Sequence, residues 1–218
     1  MVPTWVWVLI AVVLVVIVAG YLIAAYNGLV RLRNLVQESW RQVDVELQRR
    51  HDLIPNLIET VKGYAAHERG VLVSVIDARN RAVAVRQAPG SGPAEQGQAE
   101  SFLQAALGRL FALAEAYPDL KANQNFLALQ GQLAETEDRV AAGRRYYNAN
   151  VRTLNTKVES FPSNIVAGMF RFAREQYFEV TDQETRAVPA VDFSGVGGSG
   201  AGQGSAVSQS RPDFPPEI

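Results

Sequence analysis

Five ionisable residues fall where helical periodicity calls for apolar side chains: Arg50, Glu68, Arg79, Glu137 and Arg144. Glu137 and Arg144 stand seven apart and share one helical face. Glu68 and Arg79 lie on a second apolar stripe, and Arg50 lies on a third. An unpaired charge taken out of water is prohibitively costly, so these groups must meet one another or solvent. Their signs suit pairing between helices. Two kinds of chemistry follow. The charges fix helix register and partner choice, as polar residues do inside coiled coils, or they form a functional polar layer that holds a ligand or ion. Asn56, Asn148 and Asn155 fall near the same faces and can complete either network.

Other chemistry is sparse. The 218 residues include no cysteine and two histidines, His51 and His67. This removes thiolate sites, disulfides and any multi-histidine metal centre. Di-metal bundles use Glu-x-x-His pairs, but Gln48 precedes His51 and Tyr64 precedes His67 at that spacing. His67 reads as a partly exposed helix residue. No zinc-protease motif, phosphate loop or Gly-x-Ser-x-Gly elbow occurs. Gly195 to Gly200 matches the dinucleotide glycine fingerprint, but without the strand and helix the motif needs; Pro212 to Pro215 matches Pro-x-x-Pro in a free end. No catalytic residue, cofactor-binding residue or metal ligand is therefore assigned, and no cofactor is expected. A net charge of −1 argues against nucleic acid as a partner.

The elements that carry these residues begin with an apolar segment. No charged side chain occurs from Val2 to Val30, and the stretch Trp5 to Ala25 is almost wholly apolar. About 20 helical residues cross a hydrocarbon core of ~30 Å. Trp5 and Trp7 mark one edge, Tyr21 and Tyr26 the other, as interfacial aromatics do. The run is too long for a signal peptide and lacks a basic start. Arg31, Arg33, Arg41, Arg49 and Arg50 follow it, so the positive-inside rule puts the N-terminus outside and the remainder in the cytoplasm.

Beyond Tyr26 the period is helical. Leu29, Leu32, Val36, Trp40, Val43, Leu47 and Ile54 form one stripe, with no Gly or Pro between Leu29 and Ile54. The membrane helix is free to run straight into it. Pro55 predicts a kink or joint over 52–55. A second helix is expected from Leu57 to Val83, its stripe passing through Gly63 and Gly70. Residues 86–98 read as a loop. A third helix carries Leu103, Ala106, Leu110, Leu113 and Tyr117, ending at Pro118. Phe126, Leu133, Val140, Tyr147, Leu154 and Phe161 repeat every seven residues, which predicts coiled-coil-like packing of a fourth helix over about 121–160. A short amphipathic piece, 165–177, is expected to fold back. The Gly- and Ser-rich residues from 190 onward are expected to be disordered.

The fold class is thus all-α: an N-terminal transmembrane helix and an elongated antiparallel bundle of about four helices. The expected organisation is a short N-terminus (1–4), a transmembrane helix (5–25), a helical bundle (26–181) and a Gly/Ser-rich tail (182–218).

Several stretches now matter as a set. They are Tyr26-Asn27-Gly28-Leu29-Val30, then Arg49 through Leu57 with Asp52, Pro55 and Asn56, then Gly63 through Glu68. Glu137, Arg144, Tyr147-Asn148, Asn155, Phe161-Pro162 and Tyr177-Phe178 complete it. Over about residues 5–180 the chain resembles the LemA family of bacterial membrane proteins. Leu154, where the family tends to have an aromatic, and Met169, where it often has Gly, depart from the pattern. The resemblance implies a membrane helix, an elongated helical bundle and a small extracellular N-terminus, and it supplies no activity. The expected function is a membrane-anchored, non-enzymatic scaffold whose partners are the lipid bilayer and other membrane-associated proteins, with self-association left open. The alternative is a ligand sensor or hydrolase that uses the Glu/Arg layer.

Overall fold

A computed structural model describes residues 3–180, and the expected disordered tail and its two motif matches lie outside the described residues. Among the described residues every regular element is a helix. Helix α1 spans Thr4–Lys62, α2 Arg69–Gln87, α3 Pro93–Ala114, α4 Pro118–Lys121, α5 Gln124–Glu159 and α6 Ser163–Met169. At 1.5 Å per residue, the 59 residues of α1 extend about 88 Å and the 36 of α5 about 54 Å. The apolar segment and the first bundle helix are one continuous element, as the unbroken stripe allows. Its N-terminal part is long and apolar enough to cross a membrane, with none of that window buried in the protein.

Beyond the apolar part, α1, α2, α3 and α5 run up and down. Tyr64 meets Asn123 at one end, and Tyr26 meets Phe170 at the other. Alternate turns of α1 face inward: Leu29, Val36, Val43, Leu47 and Ile54 are buried. The seven-residue repeat of α5 does the same at Phe126, Leu133, Val140, Tyr147 and Leu154. Gly143 lets α5 approach closely, since a Cβ there would sit 3.0 Å from Val43 Cγ2.

Four expectations are corrected. First, α1 runs through Pro55 without a joint. The proline ring sits on an exposed face, and the carbonyl it deprives of a donor is served by another helix (below). Second, the helix expected over 57–83 is broken. It ends at Lys62, and residues 63–68 turn, with Ala65 N–H donating to Val61 O at 2.8 Å. Gly63 makes the break cheap, and the reversal lets Leu72 and Val75 pack back onto Leu57 and Val61. Third, the loop is shorter than residues 86–98. Pro93 starts α3 at its first turn, and the Glu95 carboxylate accepts the Gly92 N–H. Fourth, Phe161 leaves the heptad repeat. The last helical residue of α5 is Glu159, and Phe161 is 80% exposed. The folding-back piece is helical only to Met169, and residues 172–180 run on without regular secondary structure.

Candidate functional site

The core is divided in two. One buried cluster runs from Ile54 to Leu133 and joins α1, α2, α3, α4 and α5. The other runs from Leu29 to Phe178 and joins α1, α5, α6 and the segment after it. Between them lies a polar layer. Arg50 and His51 leave α1, Gln96 and Glu100 leave α3, and Glu137 leaves α5. Glu100 is fully buried, with Arg50, His51 and Gln96 at most 4% exposed.

Glu100 is the hub. Its Oε1 accepts from Gln96 Nε2 and lies on His51 Nε2, both at 2.8 Å, while Arg50 reaches Oε2 at 3.4 Å. An ionised carboxylate only accepts, so its pairing with His51 requires the tautomer that carries the proton on Nε2. Arg50 also pairs with Glu137 at 2.9 Å; the Glu137 side chain is 39% exposed and forms the solvent edge of the layer. His51 Nδ1 and Gln96 Oε1 are buried without a hydrogen-bond partner among the described residues. Outside the layer, Arg50 and Glu137 line a cavity of about 340 Å³ between α3 and α5. Leu107, Phe111 and Leu133 make most of its wall apolar.

A second polar constellation lies on α5. Asn148 Nδ2 donates to Phe178 O and its Oδ1 accepts from Phe178 N–H, both at 3.0 Å. Asn155 treats Glu175 the same way, at 3.0 and 2.9 Å. Each amide mimics a neighbouring strand. The spacing matches: seven residues of helix rise about 10.5 Å, and three extended residues span about 10 Å. Tyr147 Oη donates to Gln176 O at 2.8 Å between them, and Arg144 reaches Val180 O at 3.4 Å. Burial pushes the Tyr147 hydroxyl well above its usual value near 10, and the nearby Glu175 carboxylate adds to the shift. On the far side, the Glu179 backbone lies where a Cβ of Gly97 would sit, so only glycine lets this strap close over α3.

Residues 39–193 match the pattern of the LemA family. The chain belongs to the LemA family. The match begins beyond the apolar segment. Among relatives, the magnetosome protein MamQ 2 of Paramagnetospirillum magneticum is 29% identical over 198 residues, covering 81% of this chain and 73% of that protein. Protein LemA of Metamycoplasma hominis is 25% identical over 158 residues, covering 72% of this chain and 70% of that one.

In this LemA-family chain the five charges expected on apolar stripes do not form a single layer. Arg50 and Glu137 meet. Arg79 is half-buried and donates to the His51 carbonyl at 3.3 Å, so it supports the layer from α2. Arg144 belongs to the strap. Glu68 lies at the far end of the bundle, at the residue before α2, its side chain accepting from Tyr117 Oη at 3.2 Å rather than capping the helix. Of the residues shared with the family pattern, Tyr147 and Asn148 hold the strap, whereas Asp52, Pro55 and Asn56 are exposed on α1. Residue-type reasoning missed Glu100, Gln96 and His51. The signal was present: Gln96 and Glu100 continue the Leu103 stripe backward at steps of three and four, into a region read as loop. Among the described residues no group of three or more His, Asp or Glu side chains is placed to hold a metal ion.

Proposed function

We propose that this chain is a membrane-anchored, non-enzymatic scaffold that presents its helical bundle to other proteins at the membrane surface. The observation that carries this is the closure of the polar layer. Glu100 is fully buried, with Arg50, His51 and Gln96 occupying its oxygens. A carboxylate held this way is withheld from substrate and serves to set helix register. What remains accessible is the bundle surface, where Val73, Ile76 and Phe102 expose apolar side chains on the α2–α3 hairpin. Arg31, Arg33 and Arg41, just beyond the apolar segment, favour an N-terminus outside and a cytoplasmic bundle.

A photo-crosslinking residue at Val73 or Phe102 in the full-length chain in cells tests the scaffold reading. A discrete protein adduct is expected, lost on Ile76→Asp and kept on Glu137→Gln. No adduct from either position overturns it. A reporter fused after Ile218 should be active only in the cytoplasm; activity outside reverses the orientation.

A ligand-sensing reading draws on the cavity beside Arg50 and Glu137. Its apolar wall and charged end suit a small amphipathic molecule. Filling it with Gly108→Leu would then abolish the cellular phenotype while leaving the crosslinked adduct intact.

A further inference from the structure

The apolar segment of α1 has no protein cover, but its last turns do. Leu22 and Ala25 pack against the buried cluster that contains Val166 and Ala167 of α6. Tyr26 packs at a tilt against Phe170, with ring centres 4.7 Å apart, and meets Phe172 edge-on at 5.9 Å. A helix that enters a hydrocarbon core at Trp5 leaves it after about 20 residues, near Ala25. The α5–α6 corner is therefore held at the level where α1 emerges.

That corner is apolar on its outside. Phe161 is 80% exposed, Met169 65%, Ile165 53% and Phe170 51%. Four large apolar side chains within ten residues are more than a soluble surface usually leaves in one place. They flank the buried Ser163, Val166 and Ala167, so α6 has one face on the bundle and the other unpartnered. Basic residues lie close to them in the chain and on α1. Arg33 lies over the Phe172 ring at 5.1 Å, and Arg171 follows Phe170 directly. Lys157 is tied to the corner through its carbonyl, which accepts from Ser163 Oγ at 2.6 Å. Arg174 is paired with Glu159 at 2.9 Å. Apolar side chains flanked by arginine and lysine residues are what a helix lying in the headgroup region presents.

The geometry holds this corner in place. Arg171 takes a left-handed conformation with φ of 56°, and Phe172 N–H closes back onto Ala167 O at 2.9 Å. This is the reversal that ends a helix and turns the chain away. The strap that follows is clamped to α5 by Asn155 and Asn148. Neither end of α6 is free to swing away from α1.

We propose that the α5–α6 corner is a second membrane contact: Phe161, Ile165, Met169 and Phe170 enter the lipid interface beside α1, with Arg33, Arg171 and Lys157 at the phosphates. The occupant of the apolar face is the bilayer, because that face continues the lipid-exposed surface of α1 across Leu22 and Tyr26. Two attachments on one rigid unit then fix the tilt of the bundle, where a lone helix would leave it free to swivel. The proposal rests on α1 spanning the membrane.

The chain has no cysteine, so single-cysteine variants of the full-length protein can be labelled cleanly with an environment-sensitive fluorophore. Val13→Cys, Ile165→Cys, Met169→Cys and Val73→Cys would be reconstituted in vesicles of phosphatidylcholine and phosphatidylglycerol. Nitroxide lipids labelled near the headgroup or deep in the chain would serve as quenchers, with iodide for the aqueous side. Val13 should be quenched by the deep nitroxide, which secures the span. Ile165 and Met169 should be quenched several-fold more by the shallow nitroxide than Val73, with blue-shifted emission and little iodide quenching. If Val13 is lipid-quenched while Ile165 and Met169 behave like Val73, the corner faces water and the proposal fails. If they are shielded from both lipid and iodide, a second protein covers the face, and the proposal fails equally. If Val13 itself is not lipid-quenched, the spanning reading falls and takes the second membrane contact with it.

Discussion

The Nε of Arg79 on α2 lies 3.3 Å from the carbonyl oxygen of His51 on α1. That carbonyl is four residues before Pro55, whose missing N–H would otherwise have bonded to it. A proline inside a long helix is thus matched by a guanidinium from the neighbouring helix, and the same arginine props the residue that contacts Glu100. Pro55→Ala should supply the absent donor. Arg79→Met should then cost about 1–2 kcal/mol in the parent chain, and clearly less in the Pro55→Ala background. Denaturant unfolding of the full-length chain in detergent, followed as a double-mutant cycle, checks this. Equal losses in both backgrounds would break the link between the two residues.

The polar layer predicts a strong asymmetry between single and double replacements. Arg50→Met strands a fully buried Glu100 carboxylate and should cost about 3–5 kcal/mol. Arg50→Met with Glu100→Leu removes both charges and should cost much less. Arg41, paired with Glu38 at 3.2 Å but 71% exposed, is the control: Arg41→Ala should change stability by about 0–1 kcal/mol. Unfolding midpoints of the three variants decide the matter. A mild Arg50→Met would mean the layer admits water freely.

The strap should unzip in steps. Asn148→Ala or Asn155→Ala removes two hydrogen bonds to one backbone residue and should cost about 1–3 kcal/mol each. Asn148→Asp should be worse, because a carboxylate oxygen replaces the amide that donates to Phe178 O. The readout is hydrogen exchange across residues 172–180, which should quicken while exchange in α3 and the middle of α5 stays slow. Unchanged protection at Phe178 would show that the asparagines do not hold the strap.

Alkaline pH should weaken the same contact through Tyr147. Its folded-state pKa lies above the unfolded value near 10, so the folded state holds the proton more tightly. The stabilisation is fully present below pH 10 and is lost as pH climbs from there towards the folded value. The slope is at most about 1.4 kcal/mol per pH unit for one proton. Tyr147→Phe should be less stable at neutral pH, having lost the bond to Gln176 O, and should show a flatter decline above pH 10. Ultraviolet titration of tyrosinate against unfolding midpoint gives the comparison. A parallel decline in both proteins would remove Tyr147 from the cause.

The inward faces of this protein were legible in its sequence. The 3–4 spacing of Leu29 through Ile54 and the seven-residue repeat from Phe126 to Leu154 each named buried residues, because helical geometry alone fixes which side chains share a face. The same rule flagged Arg50 and Glu137 as charges directed inward. Their partners were a different matter. Glu100 meets Arg50 across 50 residues of chain, and that meeting depends on the axial register of α3 against α1. Register is set by the turn at 63–68 and the short 88–92 connection, where small composition differences decide whether a helix stops or runs on. Phe161 illustrates the limit from the other side: the repeat placed it in the core, but α5 ended two residues earlier and left it outside. Periodicity tells which way a side chain points relative to its own helix. Only the packed tertiary structure, where every helix end and every neighbour is fixed together, determines what it points at.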